Sequence, residues 1–103
     1  MKIALDAMGG DFCPQAEVAG VAQTIKGVGS TPEIVLVGDE QIIRAEIKKY
    51  GDLFNKIEIV HASQRVFMDD SPAKALKTKP NSSLLKSVRL CAEGKVDGVI
   101  SAG

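Results

Sequence analysis

Tryptophan is missing from this 103-residue chain, tyrosine occurs once and phenylalanine three times. Any core built from it must therefore be aliphatic. Histidine also occurs once. His61 ends an apolar run and has no Cys or acid beside it at ligand spacing, so it reads as structural rather than catalytic. The two cysteines, Cys13 and Cys91, lie far apart and have no secretory context. They read as reduced cytosolic thiols, small buried or half-buried residues, not as a disulfide framework. Charge of one sign is not concentrated anywhere: thirteen basic residues balance thirteen acidic ones. That argues against the basic face of a nucleic-acid binder, while leaving room for a local basic patch facing an acidic protein. No stretch approaches the roughly 20 apolar residues of a membrane-spanning helix. The amino terminus is not a leader peptide, because Asp6 interrupts its short apolar run.

What is present is an α/β pattern. Hydrophobic residues make up 45% and charged residues 25%, an ordinary globular composition for one domain or part of one. Residues 2–5 are a short apolar strand. From Pro14 to about Val28, Val18, Val21, Ala22 and Ile25 recur at helical spacing. Glu33–Gly38 is a continuous β-branched run, as in a parallel strand covered on both faces. Asp39 caps a helix that carries Ile43, Ile47 and Tyr50 and stops at Gly51. Lys56–His61 is a third strand. Ser71 followed by Pro72 starts a short helix to about Lys77. Ser82 or Ser83 caps another, which is expected to bury Leu84, Val88 and Cys91 and to end at Gly94. Val96–Ile100 is a fourth strand.

Alternation of strand and helix predicts a three-layer, Rossmann-like parallel sheet with helices on both faces. Strand 1 should lie centrally, strands 2 and 3 on one side, strand 4 on the other. The crevice between strands 1 and 4 is then the switch point where such sheets bind ligands. Its lips would be Asp6–Asp11 and Ser101–Gly103. The Met68–Pro72 loop leaves the same edge. Strand 4 is apolar and nothing follows to cover it, so residues 1–103 are expected to be the N-terminal portion of a larger single domain.

The loop Asp6-Ala7-Met8-Gly9-Gly10-Asp11 is the chemical focus. It is neither G-x-G-x-x-G nor a P-loop, and Gly38 stands where a ribose-binding acid would close strand 2. Two readings stay open. Asp6 and Asp11 could hold magnesium with help from Asp69 and Asp70, or they could cap the turn and the helix start, with Asp69 and Asp70 as first-turn acids. Asn81-Ser82-Ser83 offers donors that either cap a helix or touch a ligand. Lys77, Lys79 and Lys86 read as a solvated face, or as a landing site for an acidic partner.

Leu5–Asp11, Val35–Asp39, Met68–Ala73, Asn81–Ser83 and Ser101–Gly103 occur in an order and at intervals that resemble the start of the bacterial phosphate acyltransferases of phospholipid synthesis, the PlsX family. The resemblance covers the whole chain. Two positions depart: Phe12-Cys13-Pro14 replaces a usual His-Ala-Pro, and Lys74 stands where Glu is frequent, which weakens the capping box with Ser71.

The resemblance implies transfer of a fatty acyl group from acyl carrier protein to inorganic phosphate, with no cofactor and no metal. It implies a homodimer, cytoplasmic and peripherally membrane-associated through residues outside this segment. Within that chemistry Asp6, Asp11, Asp70 and Ser101 are the candidate catalytic residues. Gly9, Gly10, Asp69, Ser71, Asn81, Ser82, Ser83 and Gly103 are the candidate substrate- and phosphate-binding residues. The acids Asp6, Asp11, Asp69 and Asp70 would orient donors, fix loops or meet a cation supplied from outside these residues rather than touch phosphate, since like charges repel. A magnesium-dependent phosphotransferase and a non-catalytic dimerisation or carrier-docking module are the alternatives, and the isolated 103 residues are expected to be inactive.

Overall fold

The computed structural model describes residues 1–9, 13–27, 32–64 and 81–101. Four parallel strands form one sheet: β1 (Lys2–Asp6), β2 (Glu33–Gly38), β3 (Glu58–His61) and β4 (Gly98–Ile100). Their order is β3-β2-β1-β4, as the alternating pattern predicts. β1 pairs with β2 from Lys2↔Glu33 to Asp6↔Val37, and with β4 from Ile3↔Gly98 to Leu5↔Ile100. Ala7 N–H donates to Val37 O at 2.9 Å, and Ala62 N–H to Gly38 O at 2.8 Å. These two bonds carry the ladders one residue past the strand ends.

Side chains alternate across a strand, and the two resulting faces have separate cores. On one, Leu36 meets Val18, Val21 and Ala22 of α1 (Gln15–Lys26) and Ile43 of α2 (Glu40–Ile47), with Phe54 and Ala7. On the other, Ala4, Val35 and Val37 meet Ala62, Val96 and, from α3 (Ser83–Ala92), Leu90 and Cys91. The fold is therefore the expected α/β three-layer arrangement.

Several boundaries differ from the sequence reading, each for a local reason. α1 begins at Gln15 and ends at Lys26 rather than spanning Pro14–Val28, and Val28 lies outside the described residues. β3 starts at Glu58 instead of Lys56, because Ile57 N–H is used in a turn to Phe54 O at 3.1 Å. β4 starts at Gly98 instead of Val96. Asp97 brackets the first residue of β1: its N–H donates to Lys2 O at 2.7 Å and its Oδ2 accepts from Lys2 N–H at 2.8 Å. The helix expected to reach Gly51 changes to a tighter 3-10 winding over Lys48–Phe54, broken at Gly51 with φ +61°. α3 ends at Ala92. Gly94, at φ +75°, then closes a Schellman cap, with Gly94 N–H on Cys91 O at 3.0 Å and Lys95 N–H on Leu90 O at 2.9 Å.

The buried face of α3 is the largest correction. Val88 is 49% exposed and Leu84 only half-buried, whereas Ser83 and Ser87 are fully enclosed. The inward stripe runs Ser83, Ser87, Leu90, Cys91. Small hydroxylated residues are needed at its amino end because β1 presents a carboxylate there.

Candidate functional site

That carboxylate is Asp6. It follows Ala4 at the two-residue spacing of β1 and so continues the apolar row facing α3. It is only 2% exposed. A buried carboxylate is tolerated when its oxygens are hydrogen-bonded, and here both are. Oδ1 accepts from Met8 N–H at 3.0 Å and, in a short contact, from the Ser83 hydroxyl. Oδ2 accepts from the Ser101 hydroxyl at 3.1 Å. The amino end of α3 adds its favourable dipole. One side chain thus ties three segments together: the loop after β1, the start of α3 and the residue after β4. The tie lies at the carboxyl edge of the sheet, at the β1/β4 switch point.

Gly9 is required by this arrangement. A Cβ there would stand 2.8 Å from Ser101 Oγ and 2.9 Å from Asp6 Oδ2. The close approach that the glycine permits is to the Asp6–Ser101 pair itself. Behind the loop, Met8 is buried, and its Cγ would lie 2.7 Å from a Cβ on Gly38. The glycine that ends β2 therefore makes room for Met8.

The Asn81–Ser83 segment divides its work. Ser82 is the helix cap, its hydroxyl accepting from Leu85 N–H at 3.2 Å, and it is wholly buried. Ser83 reaches Asp6, and its carbonyl accepts from the Ser87 hydroxyl at 2.7 Å. Asn81 is exposed, and its backbone is held by Gln64. Asn81 N–H donates to Gln64 Oε1 at 2.9 Å, and Gln64 N–H donates to Asn81 O at 3.2 Å. Ser83 N–H donates to Gln64 O at 3.0 Å. The sequence does not point to Gln64, which sits in a polar stretch with neither periodicity nor motif to mark it.

The structure thus brings together Asp6, Gly9, Ser83 and Ser101, with Ser82 and Asn81 adjoining. Gly10, Asp11, Asp69, Asp70, Ser71 and Gly103 lie outside the described residues, as do Phe12, Lys74, Lys77, Lys79 and the helix expected from Ser71. His61, read from the sequence as structural, ends β3 and is exposed. Its Nδ1 accepts from Glu40 N–H at 3.2 Å, at the start of α2. Asp39 completes that cap, accepting from Gln41 and Ile42 N–H. Lys86 Nζ donates to His61 O at 2.7 Å.

Among the described residues no group of three or more His, Cys, Asp or Glu side chains is placed to hold a metal ion. Among the same residues no helix is long and apolar enough to cross a membrane.

A family model described as "Fatty acid synthesis protein" matches residues 1–103. A phosphate acyltransferase of Dictyoglomus turgidum is 48% identical over the whole chain, one of Brevibacillus brevis 46%, and one of Clostridioides difficile 38%. The chain spans 30% of the length of each of these relatives. With its full length matched, the chain belongs to the fatty acid synthesis protein family.

Proposed function

We propose that these residues form the first part of a phosphate acyltransferase that moves a fatty acyl group from acyl carrier protein to inorganic phosphate. The observation that supports it best is the Asp6 hub. It holds the β1 loop, the start of α3 and Ser101 in fixed relation at the switch-point crevice, and the relatives at 38–48% identity carry the name phosphate acyltransferase.

In the proposed step a phosphate oxygen attacks the thioester carbonyl carbon. The carbonyl oxygen becomes an oxyanion, the C–S bond breaks, and the carrier leaves as its thiolate, with acyl phosphate as product. Phosphate is already an anionic nucleophile at neutral pH, so the protein's main work is alignment and oxyanion stabilisation. An ionised Asp6 only accepts hydrogen bonds. Asp6 therefore holds the Ser101 hydroxyl in place beside the proposed phosphate site.

The proposed oxyanion and phosphate donors are backbone N–H groups of Gly9, Gly10 and Gly103 and of the helix start that the sequence leads one to expect at Ser71. Asp11, Asp69 and Asp70 orient those loops. The same reading makes the longer protein a cytoplasmic homodimer that meets the membrane peripherally through other residues. The test is the full-length protein supplied with fatty-acyl carrier protein and phosphate, following release of the carrier thiol. Phosphate-dependent release is expected, and release indifferent to phosphate overturns the proposal.

A further inference from the structure

We infer that Gln64 is a positioning residue for the Asp6–Ser101 crevice, acting through the backbone of Asn81–Ser83. The inference rests on the acyl-transfer reading of that crevice. Three hydrogen bonds join Gln64 to this segment on both sides of Ser82. Two are backbone pairings, and the third runs from Asn81 N–H to Gln64 Oε1 at 2.9 Å. Ser83 is thereby held at its N–H by Gln64, at its carbonyl by Ser87 and at its hydroxyl by Asp6.

The hydroxyl of Ser83 lands on the same carboxylate that receives Ser101. A shift of residues 81–83 therefore turns the Asp6 carboxylate, and with it the Ser101 oxygen on the crevice side. Among the described residues Gln64 reaches neither Asp6 nor Ser101 directly. Its influence travels through the backbone of residues 81–83 and then the Ser83 hydroxyl, and side-chain Oε1 is the part of the latch that substitution can remove while leaving the main chain in place.

Two substitutions separate this role from a merely structural one. Gln64→Met keeps length and removes the acceptor; Gln64→Glu keeps an acceptor oxygen. In the full-length protein, Gln64→Met should lower kcat/KM for phosphate by roughly tenfold, the size of one hydrogen bond expressed in transition-state binding. Gln64→Glu should stay within about threefold of the parent, since its carboxylate still accepts from an amide.

Four results overturn the inference: Gln64→Met at parental kcat/KM; a lower melting temperature with kcat/KM unchanged; both variants falling equally; or fast hydrogen exchange at the Asn81 amide of the parent. The last measurement needs no variant. Asn81 is exposed, so slow exchange there requires the Gln64 bond. A parent that shows no phosphate-dependent thiol release fails earlier, and takes down the acyl-transfer reading together with this one. A parent that passes, followed by an indifferent Gln64→Met, leaves that reading standing and removes only Gln64.

Discussion

Replacing Asp6 by alanine should strand three donors at once: Met8 N–H, the Ser83 hydroxyl and the Ser101 hydroxyl. Hydrogen bonds to a charged group contribute about 1.5–3 kcal/mol each, and buried donors left unmade incur their desolvation penalty. Ser83 is 1% exposed and Met8 8%, so water does not rescue them. Ser101 is only half-buried and recovers part of its loss from solvent. The sum for Asp6→Ala is about 4–8 kcal/mol, a large share of a typical domain stability of roughly 5–15 kcal/mol.

Asp6→Asn behaves differently. The amide oxygen keeps Met8 and Ser83, while its NH2 turns towards Ser101 and reverses that one bond. Neutral hydrogen bonds are about half as strong as charge-assisted ones, so the loss is about 1–2 kcal/mol. The reversal turns the Ser101 hydroxyl proton away from residue 6 and releases Oγ from its set position. Turnover should therefore fall by about tenfold while the variant remains folded. Urea denaturation followed by thiol-release kinetics on the full-length variants measures both quantities. Equal stability losses in the two variants would refute the hub. Parental turnover in Asp6→Asn would refute a part for the Asp6–Ser101 contact in turnover.

Gly9→Ala must push Ser101 Oγ or Asp6 Oδ2 aside, and is expected to cost about 1–3 kcal/mol by overpacking, seen as a lower melting temperature together with lost turnover. Gly94→Ala meets open space and suffers only from φ +75°; it should lose about 1–2 kcal/mol in thermal melts with turnover unchanged. Asp39→Ala removes the α2 cap and should lose about 1 kcal/mol, again without a kinetic effect. Turnover should survive EDTA, and its abolition and restoration by magnesium would favour a metal-dependent phosphotransferase instead.

Strand identity and order are legible because buried parallel strands are written as uninterrupted β-branched runs. Glu33–Gly38 is the clearest, and its observed limits match. Strand order alone sets the ends of β1 and β4 side by side, and Asp6 and Ser101 do meet there. Hydrophobic spacing misplaces the inward face of α3 because it treats Ser83 and Ser87 as outward. Their inward position depends on a carboxylate contributed by a strand 77 residues earlier, which local periodicity does not register. Gly9 is visible in the sequence as a flexible turn residue, but its actual constraint is the space taken by Ser101. Gln64 carries no signal, since its partners are backbone groups and backbone is the same in every sequence. Asp97 falls within an apolar run that reads as strand, and instead clasps Lys2.

The separation between Asp6 and Ser101, 95 residues, also sets a schedule. β1 is a central strand yet is synthesised before its neighbours, and β4 is the last strand in these residues. Contacts of such long range form slowly, because the loop between them must close first. On the ribosome, β1 can pair with β2 early and its carboxylate can meet Met8 N–H and then Ser83, but its other edge waits until β4 has emerged. The pairing of β1 with β4 is also what brings Ser101 to Asp6, so strand pairing and the last contact of the candidate site form in one event.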